Sequence, residues 1–363
     1  MLSPFDDLPI HQIAAPVRVV GTSDRNFYDR YYFNLHACRE DLFAVFGLGQ
    51  YPNLGVTDAF VAVTEGSVQQ VVRASAELDD RGQPVVGPFS VEVHEGLQRL
   101  TFRCDAPEET VEMEVTWEGG IPAHLELPHQ NRRGARLITD TARFFQTGRW
   151  QGWLRVGDHR VDVVGDEWWG CRDRSWGIRP VGDAEPAGRP SDQPQGFLWL
   201  YCQMQFAGSS ILYMLGEDRF ADRSLEEGVR VWANGDERPP QRLGRPEHEL
   251  HFVSGTRWVD HATLSFRRLD GPELTIEVTP LANSYLALGT GYGMDRDWRH
   301  GMYQGPLVVQ SRRYDLGDPE TSAGAYGLVD SLARFELDGE VGYGLFEYAV
   351  LGPNDRYGFG SRH

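Results

Sequence analysis

The chain has no lysine: all 35 basic residues among its 363 are arginine. Chemistry that needs a lysine amine therefore has no residue to supply it. Pyridoxal-phosphate enzymes, class I aldolases, kinases and ordinary P-loop NTPases are excluded. Cysteine is scarce as well. Cys38, Cys104, Cys171 and Cys202 are widely spaced and make no C-x-x-C pair, so zinc-ribbon and thioredoxin motifs are excluded and reduced thiols are expected. No apolar run approaches the roughly 18 residues of a membrane span. The start, MLSPFDDLPIHQIAAP, has acids where a signal peptide has a basic region. A cytoplasmic protein without stable membrane insertion is the expectation.

Other signatures are missing too. The net charge is −18, spread over both halves without a basic stripe, which argues against nucleic acid as a partner. There is no G-x-S-x-G elbow and no H-E-x-x-H helix. HLELPH (His124, Glu126, His129) and HELH (His248, Glu249, His251) are the nearest approaches to a metal set. In strands His248 and His251 fall on opposite faces, so no metal is expected. GTGYG at 289–293 lacks a strand–helix dinucleotide context. No cofactor is expected.

What is present is period-two alternation. RLTFRC, TVEMEVTWEG, ATLSFRRL and ELTIEVTP alternate apolar with polar residues. Asp270-Gly271, Asp338-Gly339 and Asn234-Gly235 suit tight hairpin turns. Helical signals are confined to short possibilities in DRSLEEGVRVW and TSAGAYGLVDSLA. The proline-rich run 179–196 reads as a linker. The expected fold is all-β: two antiparallel β-barrels or half-barrels packed together, with few short helices. The expected division is a domain at 1–180, a linker at 181–195 and a domain at 196–363.

Four stretches carry chemistry. In WWGCRDRSWG, strand alternation puts Trp168, Arg172, Arg174 and Trp176 on one face and Trp169, Cys171, Asp173 and Ser175 on the other. Both faces are mixed, so both are expected to meet protein or ligand. Buried arginines require partners, and two adjacent arginines, if close in space, hold Asp173 ionised. In RFFQTGRWQGWLRV a bulge is expected near Gly148 or Gly152, with Gln146 and Trp150 as pocket candidates. In YYFNLHACR, Tyr32, Asn34 and His36 share a face, and His36 is the histidine best suited to acid–base work. In GMDRDWRHGMYQGP, Trp298 and His300 sit in the densest polar–aromatic cluster of the second half. Each stretch also has a purely structural reading, as core, bent strand or surface loop.

RDRSWG with the preceding WWG resembles the motif region of the hydroxyneurosporene synthase (carotenoid 1,2-hydratase) superfamily. Asp173, Ser175, Trp176 and Gly177 match, whereas Arg172 and Arg174 stand where carotenoid hydratases carry aromatic or histidine residues. Tocopherol cyclases and some fungal Diels–Alderases look distantly similar around an equivalent Trp-Gly. RFFQTGRWQGWLRV and YFNLHACREDLFAVFGLGQYPN look more like a bacterial branch of that superfamily. The resemblance implies two consecutive lipocalin-like domains, a pocket near their interface and a hydrophobic ligand, terpenoid- or polyketide-like.

Together these readings lead to a cofactor-independent enzyme that hydrates, isomerises or cyclises a hydrophobic small molecule. Asp173, Arg174 and His36 are the expected catalytic groups. Trp168, Trp169, Arg172, Trp176, Gln146, Trp150, Tyr32, Asn34, Trp298 and His300 are expected to bind substrate. The alternative is a non-catalytic binding protein for a lipophilic ligand, and a homodimer is left open.

Overall fold

The computed structural model describes residues 6, 9–186, 188, 195–269, 271–293 and 295–361. Much of the linker expected at 181–195 lies outside the described residues, as do Asp270 of an expected turn and Met294 of the 293–306 stretch. The described chain is almost entirely antiparallel β-structure, with one short helix, Pro319–Gly324, capped by the Asp318 side chain. DRSLEEGVRVW is not helical. It forms the strand Arg223–Trp232, where Leu225, Val229 and Val231 are buried and its charged residues are paired or near the surface.

Two sheets result, one of 14 strands and one of nine. The first curls into a nearly closed barrel and the second into a half-barrel. At the centre of the first sheet the strand Phe27–His36 pairs with Phe43–Tyr51 on one side and Trp169–Ile178 on the other. Trp169–Ile178 pairs in turn with the 21-residue strand Arg136–Val156. The second sheet is centred on Phe197–Gln205 between Ser209–Asp218 and Glu340–Leu351. One strand crosses over: Leu307–Asp315, late in the chain, pairs with Val68–Glu77 and extends the first sheet.

Three large apolar clusters follow from this arrangement, with a small fourth around Tyr28, Tyr51, Val56 and Val181. One fills the first barrel around Phe33, Phe46, Phe102, Trp117, Trp150 and Trp168. A second fills the half-barrel around Leu200, Tyr213, Phe266 and Phe346. The third lies between the sheets and includes Tyr32, Phe145, Trp199, Tyr201 and Leu345. The central strands of the first sheet are thus covered on both faces. This is why Phe43–Tyr51 is buried at every position and reads as a continuous apolar run rather than a clean alternation.

Candidate active site

The third cluster is incomplete. A cavity of about 400 Å³ opens between the two sheets. Period-two geometry builds its walls. Tyr28, Arg30 and Tyr32 come from one strand of the first sheet, Asp173 and Ser175 from the next, and Thr139, Thr141 and Arg143 from the third. The register aligns them in rows: Tyr32, Asp173 and Phe145 lie side by side, then Arg30, Ser175 and Arg143, then Tyr28, Gly177 and Thr141. The second sheet contributes Phe197 and Trp199 beside Ala349 and Leu351, together with Glu347.

Gly177 is required where it stands. Its φ is +130°, and a Cβ there would lie 2.1 Å from the Asp140 carbonyl oxygen. The sequence D-x-S-x-G therefore presents a carboxyl, a small hydroxyl and bare backbone in succession along one wall.

Asp173 is buried. Among the described residues no side chain hydrogen-bonds its carboxyl. Burial pushes its pKa up to about 7; Arg143 and Arg179 oppose the rise, while Glu126 and Glu347 add to it. This overturns the expectation that Arg172 and Arg174 hold Asp173 ionised. Those arginines point to the opposite face, toward the first barrel's interior. Arg172 Nε donates to Gln146 Oε1 at 2.8 Å, and burial lowers its pKa to about 10. Arg174 pairs with Asp29 and lies 4.1 Å over the Tyr31 ring.

Two networks flank Asp173. In the first, Arg143 Nε donates to Glu126 Oε2 at 2.6 Å, and the Tyr201 hydroxyl donates to Glu126 Oε1 at 2.6 Å. The guanidinium stacks 4.0 Å from the Tyr201 ring. In the second, the Tyr32 hydroxyl donates to Asp330 Oδ2 and Trp199 Nε1 donates to Glu347 Oε1, both at 2.5 Å. Asp330 and Glu347 are cross-strand partners, and each buried carboxyl acts on the other's ionisation. Burial pushes both upward. Phe197, Trp199 and Tyr201 stack in a row, with His129 parallel to Trp199 at 6.0 Å. His129 is held neutral, its pKa lowered to about 4 by burial and by Arg143.

Of the residues singled out in sequence, Asp173 and Tyr32 line this cavity. Trp150 and Trp168 pack inside the first barrel, and Trp150 donates to the Asn34 carbonyl. Asn34 is consumed by Cys171, through its backbone N–H and its sulfur. Gln146 is spent on Arg172 and on the Leu97 and Ile121 carbonyls. His36 is fully buried beside Phe43, its pKa lowered to about 3, so it is neutral at physiological pH. Trp169 packs edge-on against Tyr343 of the second sheet, and Trp176 is 36% exposed on the far face. Trp298 stacks under Arg73 at 4.3 Å, and His300 lies behind the cavity against Tyr292.

Trp199, Glu347 and Arg30 carry much of the wall chemistry yet sit in stretches that read as ordinary strands, and Arg143 opens RFFQTGRWQGWLRV, where Gln146 and Trp150 were the residues singled out. A signal was present for two others. Glu126 and His129 stood out as nearest to a metal set, but Glu126 serves Arg143 and Tyr201, and His129 serves Trp199. Among the described residues no group of three His, Cys, Asp or Glu side chains is placed to hold a metal ion. No helix among them is long and apolar enough to cross a membrane.

A nearly closed antiparallel β-barrel packed on a half-barrel, with a polar–aromatic cavity between them, defines the class of fold. The chain belongs to a family of unknown function, DUF8625, whose model matches residues 2–360. No curated protein matches it. Among solved structures it is similar to an AttH-like protein from Nitrosomonas europaea, at 14% identity and a TM-score of 0.56, over 94% of this chain and 98% of that one. CghA is similar at 13% identity and a TM-score of 0.50, over 91% and 89%. Kievitone hydratase from Nectria haematococca matches at 12% identity and a TM-score of 0.46, over 91% and 92%. At these identities the likeness is one of fold.

Proposed function

We propose that this protein is a cofactor-independent enzyme that hydrates, isomerises or cyclises a hydrophobic small molecule in the cavity between its sheets, with Asp173 as the proton donor. One observation carries the reading. Asp173 lines a cavity, has no hydrogen-bonding side chain among the described residues, and has its pKa raised to about 7 by burial. A carboxylic acid poised there is matched to proton transfer near neutrality.

The chemistry follows from the walls. The protonated Asp173 carboxyl gives its proton to a carbon–carbon double bond of the substrate. The cation that develops lies against the Trp199 indole on the opposite wall, whose π system favours positive charge. In a hydration, water adds to the cationic carbon and its surplus proton returns to the Asp173 carboxylate. In an isomerisation or cyclisation, a substrate C–H supplies that returning proton. Either way the acid is regenerated without a redox partner.

The test is untargeted mass spectrometry of a metabolite extract incubated with wild-type protein and with Asp173→Asn. A feature converted to a product one water heavier marks hydration; conversion without mass change marks isomerisation or cyclisation. The variant should turn over the same feature about 10²–10⁴-fold more slowly. For the wild type, kcat/KM should fall as pH rises through about 7, because the donor form is lost. Equal turnover by wild type and variant removes Asp173 from the chemistry. Retention of a feature without conversion by either supports a lipophilic carrier instead.

A further inference from the structure

Arg30 is the cation on the cavity wall that the reading above leaves unused. It is 2% exposed, and its Nη1 donates to the Tyr51 hydroxyl at 3.1 Å. Its Nη2 is buried without a hydrogen-bond partner among the described residues. A buried guanidinium whose hydrogen-bond partner is a neutral phenol is costly unless an anion completes it.

The surroundings are shaped for this side chain. Its neighbours across the strands are Gly49 on one side and Ser175 on the other. A Cβ at Gly49 would lie 2.9 Å from Arg30 Cγ, and one at Gly47 would lie 3.5 Å from Nη2. Gly47 is the cross-strand neighbour of Tyr32, which neighbours Asp173. The two glycines thus form a trough in which the guanidinium lies over the strand Phe43–Tyr51, on the side of Tyr32 away from Asp173. Tyr292, another lining residue, has its ring 5.3 Å from Arg30 Cζ.

Among the described residues no carboxylate lies within ion-pair distance of Arg30; Asp58 and Asp173 favour its charge from farther away. Asp58 is reached through Tyr51 and spends its oxygens on the Tyr51 hydroxyl and the Gly301 N–H. Burial pushes its carboxyl upward. Arg143 is matched to Glu126. Arg179 lies 4.4 Å over the Tyr28 ring and has no carboxylate within ion-pair distance among the described residues. Asp173 is protonated in its donor form and supplies no charge. Arg30 and Arg179 face, across the cavity, the apolar surface of Phe197, Trp199, Leu328 and Leu351, with the Glu347 carboxyl, which hydrogen-bonds Trp199, among them.

We infer that the substrate is an amphiphile: a hydrophobic body against Phe197 and Trp199, and a carboxylate held by Arg30 with Arg179 at its flank. The inference rests on the reading of this cavity as the reaction site and narrows its substrate class.

The experiment is isothermal titration calorimetry of the full chain with 2-naphthoate and with 2-naphthamide, which share a ring system and differ in charge. Wild-type protein should prefer the carboxylate at least tenfold. Arg30→Gln and, separately, Arg179→Gln should reduce that preference while leaving amide affinity within a factor of about two. Arg179 is half-buried and near the rim, so its variant tests the idea even if loss of Arg30 impairs folding. Equal affinity for the two probes, or binding of neither, overturns the carboxylate site. Failure there leaves the Asp173 pH profile as a separate test, so the two ideas fall independently.

Discussion

At the scale of single residues, Asp173 shows how little sequence adjacency says about electrostatic neighbourhood. Arg172 and Arg174 are its covalent neighbours, but a strand sends alternate side chains to opposite faces. They sit in the first barrel with Gln146 and Asp29 as partners. Asp173 meets Arg143 instead, a residue 30 positions away that stands one row along the sheet. The alternation was legible in sequence and already placed Asp173 apart from its arginines. Arg143, Glu347 and Trp199 were not legible, because nothing local distinguishes a strand residue that faces a cavity from one that faces a packed sheet. The folded-state pKa of Asp173 is raised from 3.8 to about 7. Its stabilising contribution is present below about 3.8, is lost as pH rises through about 7, and leaves an ionised buried carboxylate above that. The full rise corresponds to about 4 kcal/mol. Asp173→Asn should therefore melt several degrees higher than wild type at pH 8, with the gain shrinking toward pH 4, while turnover is lost. A variant that melts lower at pH 8 would show that the carboxylate is a structural anchor.

At the scale of elements, two devices position the site. The strand Trp169–Ile178 supplies D-x-S-x-G to the cavity and tryptophan and arginine to the barrel, so its mixed faces reflect two different environments. Gly177→Ala should cost about 1–3 kcal/mol from backbone strain alone, with the clash against the Asp140 carbonyl adding to it. Thermal melting checks this, and an unchanged Tm refutes it. The second device is the Glu126–Arg143–Tyr201 network, which ties the segment around His124–Leu125 to both sheets. Glu126→Gln leaves a buried guanidinium short of its counter-charge and should destabilise by about 3 kcal/mol. The double variant Glu126→Gln, Arg143→Met should recover part of that loss in chemical denaturation. If it recovers none, the pair is not the source of the cost.

At the scale of the whole molecule, the sheets are bound into one unit by more than the apolar layer between them. Leu307–Asp315 completes the edge of the first sheet at Val68–Glu77. Gln69 bonds the backbone of Tyr285 and Leu288, and Arg73 bonds the Gly289 carbonyl and Asp295. A fragment of residues 1–196 would expose that edge strand and leave these buried groups unpaired. It should be aggregated or non-cooperative in melting, whereas co-expression with 197–363 should restore a stable complex. A monomeric, cooperatively melting 1–196 fragment would contradict this.

Sequence alone was enough for the all-β class, because period-two alternation and turn dipeptides are local properties of the chain. It also sufficed to single out Tyr32, through alternation, and Asp173, through alternation and its match to the superfamily's motif. The cavity, its second wall and its counter-charges were decided only by tertiary structure. Arg30, Arg143, Trp199 and Glu347 come from strands far apart in the chain, and they acquire chemistry only when two sheets close over them and remove water. Burial, a property of the assembled fold, is what raises the Asp173 carboxyl to about 7 and leaves Arg30 Nη2 without a hydrogen-bond partner among the described residues.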